Sequence, residues 1–468
     1  MAALAATLAT LRRGFNGTVV QKERAVRSTA KHSLIVGLGA TGAAVARYLT
    51  ARGERARVID SRATPPGLTE LRAACPDVEV ALETLDERWL DEASRVLLSP
   101  GLAYDLPLAV EARRRGLAVI GDIELFALAA RAPVIAVTGS NGKSTVTTLA
   151  SKMLEAQRLR APAGGNLGPP ALDLLDQPAD AYVLEISSFQ METTDSLAPL
   201  AATVLNVSPD HLDRHGTLER YAELKEKLLQ AAEHAVVNAD DPFVAAMGAR
   251  HADAVPFSVR SELARGYSVV VRDGERWLAR DAEPLLRSVE LRLRGTHNEA
   301  NALAALALTA TLTSDLAASL MVLRAFTGLP HRCQSIVERN GVTFVDDSKG
   351  TNVGATLAAL QGLAGPLVLI AGGLSKGQDL APLAAGARGK LRAAVLIGAA
   401  AAELERVLSP VCRTVRAATM DDAVAKAAAL AKRGDTVLLS PACASQDMFR
   451  DYKERGEHFA RAASELPG

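Results

Sequence analysis

The stretch Pro133-Val-Ile-Ala-Val-Thr-Gly-Ser-Asn-Gly-Lys-Ser-Thr145 predicts a buried strand, a turn with two glycines and the start of a helix. It departs from the phosphate-loop pattern G-x-x-x-x-G-K-[ST] only at Val137, which stands where that pattern has its first glycine. In such loops backbone N–H groups and the helix N-terminus hold phosphate oxygens, a lysine reaches the outer phosphates, and a hydroxyl meets Mg²⁺. We therefore predict that ATP binds at an exposed turn formed by Gly139, Ser140, Asn141, Gly142, Lys143, Ser144 and Thr145.

Two strands that follow this loop end in side chains that can hold a metal ion. Tyr182-Val-Leu-Glu185 places a carboxylate where a Walker B acid would stand. The stretch Thr203 to His215 predicts a strand that runs into a loop containing Asn206, Asp210 and His211. This mixture of oxygen and imidazole ligands suits Mg²⁺ or Mn²⁺ better than Zn²⁺.

The helix predicted after that loop directs a lysine into the protein. At 3.6 residues per turn Leu218, Tyr221 and Leu229 share one apolar face, Lys225 lies at its centre, and Lys227 falls on the opposite, polar side. An unpaired ammonium is unfavourable in such a place, so Lys225 should be neutral, paired or chemically modified. A snorkelling or salt-bridged lysine is the alternative.

Lysine is scarce in this chain, which contains 12 Lys and 41 Arg among its 53 basic residues. Where only positive charge was needed the sequence has arginine. A retained lysine is therefore a candidate for a role that needs a primary amine, because the two side chains differ in geometry, hydration and pKa range.

A second glycine-rich turn lies near the start of the chain. Ser33-Leu-Ile-Val36 predicts a strand, Gly37-Leu-Gly39-Ala-Thr-Gly42 follows it, and Asp60 ends the next strand about 20 residues later. This order predicts a Rossmann-like nucleotide-binding domain, although glycines alone do not identify the anion and a turn without a ligand remains the alternative. Ser99 and Gly101 follow a further strand and should face the same ligand.

Length and composition set limits on the function. A chain of 468 residues holds about three domains, and 53 basic against 53 acidic residues give no net field for nucleic acid or a membrane surface. Four scattered cysteines suit a reducing cytosol rather than disulfides or zinc. Residues 1–30 carry Arg12-Arg13 after their apolar run, unlike an export signal, and predict an extension.

Taken together, the motifs resemble the Mur ligases of peptidoglycan synthesis over roughly residues 33 to 468. The resemblance implies a carbamate on Lys225, which would turn a buried cation into a metal-binding anion, and two Mg²⁺ ions. It implies metal ligands at Ser144, Glu185, His211 and Lys225, catalytic roles for Lys143, Lys225, His211 and Lys349, and ATP contacts at Asn298, Asn301, Arg332 and Asp347.

The resemblance also assigns the other two substrates. It changes the expected ligand of the first domain from NAD to a UDP-sugar, with contacts at Gly39, Ala40, Thr41, Asp60, Ser61, Arg62, Ser99, Gly101 and Asn166. Glutamate contacts are expected at Thr351, Lys376, Ser445 and Tyr452. Leu374 replaces an acidic residue of some relatives and Tyr452 a phenylalanine, which bears on the selection of the amino acid.

The implied protein is an α/β ligase that uses ATP to add D-glutamate to UDP-N-acetylmuramoyl-L-alanine through an acyl phosphate. We expect a cytoplasmic monomer with a Rossmann-like domain at 31–121, a central P-loop-type ATPase domain with a mostly parallel sheet at 122–328, and a Rossmann-like domain at 329–468. The alternatives are another amino-acid-adding Mur ligase, including one for L-glutamate, a folylpolyglutamate synthase-like ligase, an NAD-dependent oxidoreductase or an ATPase switch.

Overall fold

The computed structural model describes residues 31–293, 295–363 and 365–466, so the predicted extension at residues 1–30 lies outside the described residues. Three β-sheets follow one another along the chain, and helices cover them. The predicted fold class, three consecutive α/β units, is confirmed. The boundaries predicted at residues 121/122 and 328/329 stay predictions.

The first unit is a five-stranded parallel sheet in the order β3-β2-β1-β4-β5. The chain leaves β1 towards β2 on one side and returns to β4 on the other, so the carboxyl ends of β1 and β4 flank the crevice where such sheets bind ligands. Its elements are β1 (His32–Val36), α1 (Ala40–Ala51), β2 (Ala56–Asp60), α2 (Leu68–Ala74), β3 (Glu79–Leu82), a 3₁₀ turn (Glu87–Leu90), β4 (Ala93–Leu98), α3 (Pro107–Arg114) and β5 (Ala118–Ile120).

The central unit has a nine-stranded sheet in the order β14-β13-β12-β11-β10-β9-β6-β8-β7, parallel except for the last two pairings at the β14 edge. Its strands are β6 (Val134–Thr138), β7 (Ala163–Gly165), β8 (Tyr182–Glu185), β9 (Ala201–Val204), β10 (His234–Asn238), β11 (Val255–Ser258), β12 (Tyr267–Arg272), β13 (Glu275–Arg280) and β14 (Glu283–Arg287). Its helices are α4 (Asp122–Ala129), α5 (Lys143–Ala156), α6 (Ser188–Met191), α7 (Leu212–His215), α8 (Leu218–Gln230), α9 (Pro242–Gly248), α10 (Thr296–Thr309) and α11 (Leu316–Ala325), with 3₁₀ turns at Ala171–Asp176 and Ser288–Glu290.

Strand β6 shows that helices cover the central sheet on both faces. All five of its residues are buried, as expected for a parallel strand between two helical layers. Val134 and Ala136 belong to the core formed with α4 and α8, whereas Ile135 and Val137 belong to the core formed with α5 and α10. The carboxyl end of β6, which carries the phosphate loop, is therefore fixed from both sides.

The C-terminal unit is a six-stranded sheet in the order β15-β16-β20-β17-β18-β19, in which only the edge strand β15 is antiparallel. No helix within the described ranges is long and apolar enough to cross a membrane. The elements of this unit are β15 (Gln334–Arg339), β16 (Val342–Asp346), α12 (Val353–Gly362), β17 (Leu367–Gly372), α13 (Pro382–Ala387), β18 (Leu391–Ile397), α14 (Ala401–Leu408), β19 (Arg413–Arg416), α15 (Met420–Leu430), β20 (Thr436–Leu439) and α16 (Tyr452–Glu465).

Candidate functional site

The phosphate loop has the predicted strand, turn and helix, but it is less exposed than expected. Gly142 has a φ of +85°, and a Cβ there would lie 2.5 Å from Oδ1 of Asn301, so this position requires glycine. Lys143 is half-buried, and its Nζ donates hydrogen bonds to the carbonyls of Gly139 at 2.8 Å and Ser140 at 2.9 Å. The expected exposed turn is therefore wrong for Lys143, and burial lowers the pKa of its amine.

Lys225 occupies the inward position that the helix period predicted. It is 1% exposed, its Nζ donates to the Gly139 carbonyl at 2.9 Å and lies 4.2 Å from the centroid of the Tyr221 ring. Burial, followed by the charge of Lys143, lowers the pKa of Lys225 well below its usual value. Within the described chain no carboxylate forms an ion pair with Lys225, so the snorkelling and salt-bridged alternatives do not hold. Its carbamylation stays a prediction.

Lys227 does not point freely into solvent, contrary to expectation. Its Nζ donates to the carbonyls of Met191 at 3.0 Å and Thr194 at 3.1 Å, and it pairs with Asp195 at 3.1 Å. The helix period correctly separates Lys227 from Lys225, but another segment packs against that second face. Lys227 thus ties the segment after α6 to α8.

Two carboxylates, one at the end of β8 and one in the loop after β9, lie on either side of β6, and each keeps one oxygen without a hydrogen bond. Oε2 of Glu185 has no partner, while the Asn166 amide donates to Oε1. Burial is the largest influence on the pKa of Glu185 and raises it, but the charges of Lys143 and Arg332 and the hydrogen bonds of Ser144 and Asn166 together outweigh burial, so the net shift is downwards. Oδ1 of Asp210 also has no hydrogen-bond partner, although Nζ of Lys376 lies 3.5 Å away.

These unpartnered oxygens fit the predicted divalent cation, because buried carboxylate oxygens normally have partners. His211 adds a neutral imidazole, since burial lowers its pKa to about 4, and its ring packs edge-on to Phe189 with a centroid separation of 4.7 Å. Across the described ranges no three His, Cys, Asp or Glu side chains form a metal cluster. The predicted set differs in kind, because it includes the Ser144 hydroxyl and a modified Lys225, and it stays a prediction.

A cavity of about 790 Å³ lies between the central and C-terminal units. Arg332 crosses this gap and donates to Oγ of Ser144 at 2.7 Å. Burial raises the pKa of the Asp347 carboxyl to about 7. The structure thus brings residues predicted for ATP together in one cavity, which is lined by Asn141, Gly142, Thr145, Asn298, Asn301, Arg332, Asp347 and Lys349 among others.

The two units are also joined next to the phosphate loop. The side-chain amides of Asn141 and Asn352 exchange two hydrogen bonds of 3.2 Å, although 211 residues separate them. Asn352 also donates to Oδ2 of Asp210 at 3.0 Å. The structure therefore represents an arrangement in which the C-terminal unit is closed over the phosphate loop.

The loops predicted to hold glutamate are paired through their backbones. Leu374 and Ala444 exchange two hydrogen bonds of 2.9 Å, which fixes the loop of Lys376 beside the loop of Ser445. Lys376 has a φ of +54°. Tyr452 begins α16, and its ring lies 3.8 Å below Nζ of Lys349. Thr351 lies between Lys349 and the N-cap of α12.

In the crevice of the first unit, the polar side chains form hydrogen bonds with other groups of the same crevice. Asp60 is 2% exposed and accepts bonds from the Leu38 N–H at 2.6 Å, the Arg62 N–H at 2.9 Å and the Arg62 guanidinium at 2.7 and 2.8 Å. Oγ of Ser99 donates to the Gly37 carbonyl at 2.8 Å. The structure brings the strand ends together as predicted, with Gly39, Ala40, Thr41, Ser61 and Gly101 on the same turns.

Sequence reasoning missed several residues around the cleft. Asn352 and Tyr221 carried a local signal, the first as a helix N-cap and the second one turn from Lys225. Arg455 carried none, yet it is 1% exposed and donates to Oγ and the carbonyl of Ser348 and to the Cys443 carbonyl. It therefore holds the loop before Lys349 against the loop before Ser445.

Three family models match the chain in sequence order. They describe a MurD-like Mur ligase N-terminal domain at residues 31–121, a Mur ligase middle domain at 137–309 and a Mur ligase glutamate ligase domain at 331–443.

Curated relatives match nearly the whole chain. Ligases called UDP-N-acetylmuramoylalanine–D-glutamate ligase are 48% identical in Nitrosococcus oceani over 93% of this chain and 96% of the relative, and 47% identical in Pseudomonas aeruginosa over 92% and 98%. The solved UDP-N-acetylmuramate-alanine ligase from Thermotoga maritima is 20% identical, with a TM-score of 0.62 over 92% of this chain and 99% of that one. A pseudomurein peptide ligase from Methanothermus fervidus has a TM-score of 0.57 at 20% identity, over 87% and 96%. These two structures bear on the fold alone.

Proposed function

The chain belongs to the Mur ligase family, and we propose from this premise that it joins D-glutamate to UDP-N-acetylmuramoyl-L-alanine with cleavage of ATP. It is an ATP-dependent ligase of peptidoglycan precursor synthesis. The observation that carries the residue assignments is the cavity between the central and C-terminal units, into which the phosphate loop, Arg332 and Lys349 all face. We expect a monomer that works in the cytoplasm.

The first chemical step would take place at the phosphate loop. The carboxylate of the UDP-linked substrate attacks the γ-phosphate of ATP, which forms an acyl phosphate and releases ADP. Negative charge accumulates on the transferring group, so fixed cations and N–H donors stabilise the transition state. Lys143 at the helix start and Arg332 from the C-terminal unit supply that charge, while Asn298 and Asn301 at the start of α10 bind the nucleoside.

Mg²⁺, or Mn²⁺ in its place, would be held by Ser144, Glu185, His211 and carbamylated Lys225, and when bound it would supply positive charge to the phosphate oxygens. The support is the unpartnered oxygen of Glu185, the neutral imidazole of His211 and the buried amine of Lys225. An uncharged Lys225 amine can add CO₂ with release of one proton, and the carbamate nitrogen would keep one N–H that can donate to the Gly139 carbonyl. Asn166 orients Glu185 through its amide.

The remaining substrates would bind on either side of this centre. Glutamate needs cations and hydroxyl donors for its two carboxylates, and we assign Lys376, Ser445, Thr351 and Tyr452 to it. The first unit would bind the uridine diphosphate end through its glycine turn and the exposed guanidinium of Arg62, whose partner Asp60 holds it in place. No NAD is expected there.

A panel of amino acids, each assayed for phosphate release with UDP-N-acetylmuramoyl-L-alanine and ATP, tests the proposal. We expect release with D-glutamate and little with L-glutamate, L-alanine or diaminopimelate. Release with another amino acid in place of D-glutamate would identify a different branch of the family. Release that needs no amino acid and no UDP-substrate would indicate an ATPase switch, and hydride transfer from NADH would indicate an oxidoreductase.

A further inference from the structure

Lys349 differs from the other lysines of the cleft in the surroundings of its amine. It lines the cavity between the two units, and its Nζ lies 3.8 Å from the centroid of the Tyr452 ring. In the described part of the chain no carboxylate or carbonyl accepts a hydrogen bond from this Nζ. Its position is set by the backbone instead, because its N–H donates to the His331 carbonyl at 3.1 Å.

Positive charge alone does not explain this amine. Arg332 lines the same cavity and carries a permanent charge that already reaches Ser144. In a chain with 12 lysines and 41 arginines, a lysine beside such an arginine points to a group that must lose and regain a proton. A general base requires an amine that is neutral when the substrate arrives.

The charges that face Lys349 favour its neutral form. Burial is the largest cause, Arg332 acts in the same direction, and together with Lys143 and Lys453 they outweigh the opposing charge of Glu185, so the pKa of Lys349 falls to about 7. The ring of Tyr452 offers its face to the amine, a contact that favours the ammonium formed when Lys349 takes up a proton. Burial raises the pKa of the Tyr452 phenol, which keeps that group uncharged.

We propose that Lys349 accepts the proton of the α-ammonium group of the incoming amino acid, which gives it a catalytic role in amide formation. The inference rests on the proposed function, which supplies the acyl phosphate and the amino acid. It is motivated by the position of Lys349, between the nucleotide cavity and Tyr452 at the predicted glutamate pocket.

Charge and bonds balance in this step. The neutral amine of Lys349 takes one proton from the substrate ammonium, which leaves a free amine with a lone pair. That lone pair forms the C–N bond to the acyl carbon, and phosphate leaves with the electron pair of the C–O bond and with the second proton of the amine. The ammonium of Lys349 then faces the departing phosphate, and it returns its proton to solvent after the product leaves.

The test separates acyl transfer to two nucleophiles in full-length wild type and Lys349→Arg, which keeps a cation but cannot serve as a base. Hydroxylamine is largely unprotonated at neutral pH and needs no base, so hydroxamate formation measures the acyl phosphate. We expect the variant to form hydroxamate within about 3-fold of wild type while amide formation with D-glutamate falls by roughly 10²-fold, within the usual range for loss of a general base.

The pH profile provides the second readout. With D-glutamate, kcat/KM of wild type should level off above about pH 7, the pKa of Lys349. By contrast, kcat/KM of Lys349→Arg should keep rising with pH as the ammonium group of the substrate loses its proton. Lys349→Met should lose amide formation in the same way, and Lys426→Arg, at a lysine of the same unit that pairs with Asp422 and does not line the cavity, should behave as wild type.

An equal loss of hydroxamate and amide in Lys349→Arg would overturn the inference, because Lys349 would then serve phosphoryl transfer or folding. An unchanged pH profile in that variant would also overturn it. Wild-type protein that forms no hydroxamate with UDP-N-acetylmuramoyl-L-alanine and ATP would refute the proposed function itself.

Discussion

The crevice of the first unit and the cleft beside the phosphate loop use the same strand, glycine turn and helix, but they treat their polar side chains differently. In the first unit Asp60 and Ser99 form hydrogen bonds with residues of the neighbouring turns. In the cleft Glu185 and Asp210 each keep an oxygen without a hydrogen bond, and no carboxylate of the described residues forms an ion pair with Lys225.

We propose that this difference distinguishes a crevice that only binds a substrate from a cleft in which bonds form and break. Buried polar groups normally find partners inside the protein, and the first crevice follows that rule, so it presents a rigid backbone to its ligand. The cleft departs from the rule, as we would expect if its oxygens without hydrogen bonds are to contact phosphate, metal ion and substrate. Groups with shifted pKa values gather at such sites.

Among the variants that test this comparison, Lys143→Ala should have the largest effect on activity. The variant removes the cation nearest the expected phosphates, and losses of such groups lead us to expect at least ~10³-fold lower rates of ADP formation. Lys152→Ala, an exposed lysine of the same helix, should remain near wild type. Near-normal ADP release by Lys143→Ala, with an unchanged melting curve, would show that the loop does not serve phosphoryl transfer.

Lys225→Ala should have the next largest effect, about 10²-fold, because it removes the amine that the proposed carbamate needs. Added acetate should restore part of the activity by supplying an oxygen ligand. Arg220→Ala is the matched control on the exposed face of α8 and should show neither effect; Lys227 is unsuitable because it binds the segment at 191–195. Carbon NMR with labelled bicarbonate should show a carbamate in wild type alone, and its absence there would refute the modification.

Lys376→Ala tests the glutamate side of the cleft. Loss of a cation for a substrate carboxylate should raise the KM for D-glutamate by about 10-fold to 100-fold and leave the KM for ATP within about 3-fold. Lys432→Ala, an exposed lysine of the same unit, should change neither constant. Steady-state kinetics with each substrate varied in turn provides the measurement, and parallel changes in both constants would place Lys376 outside the glutamate pocket.

Asp60→Asn, in the crevice of the first unit, should have the smallest effect on activity. An amide cannot accept all four bonds of the carboxylate, so we expect a loss of about 1–3 kcal/mol in the free energy of unfolding and a few-fold higher KM for the UDP-substrate only. Asp86 accepts from Arg88 in the same Asp-x-Arg arrangement but on the surface. Asp86→Asn should therefore leave both quantities unchanged, and calorimetry with UDP and NAD should detect binding of UDP alone.

Local patterns were sufficient for the turns and for the direction of one side chain. Alternation and glycine spacing predicted the strand, turn and helix around Lys143, and the helical period placed Lys225 inside, since both depend on neighbours within a few residues. The same period could not reveal that another segment covers Lys227, because that contact joins α8 to residues more than thirty positions away.

Long-range partners account for what the sequence did not reveal. Asp60 was expected to contact the ligand. Nothing near it in sequence shows that the Leu38 N–H, 22 residues away, donates a hydrogen bond to its carboxylate. Arg455 follows no charge pattern and finds only hydroxyl and carbonyl acceptors in loops that α16 packs against. Such pairings depend on how distant segments come together within each folded unit, which no window of the sequence contains.

The paired amides of Asn141 and Asn352 have a consequence for how closure responds to salt. Neither side chain carries a net charge, and Arg332 meets Ser144 through a neutral hydroxyl. Mobile ions screen exposed charges over roughly 8 Å at physiological ionic strength, but they have little to act on in contacts between neutral amides. The ion pair that also joins these two units, Lys376 with Asp210, is largely buried, so salt screens it little. The protein can therefore keep its C-terminal unit closed across a wide range of ionic strength, and a scattering profile that stays constant from dilute buffer to molar salt would be the signature of these contacts.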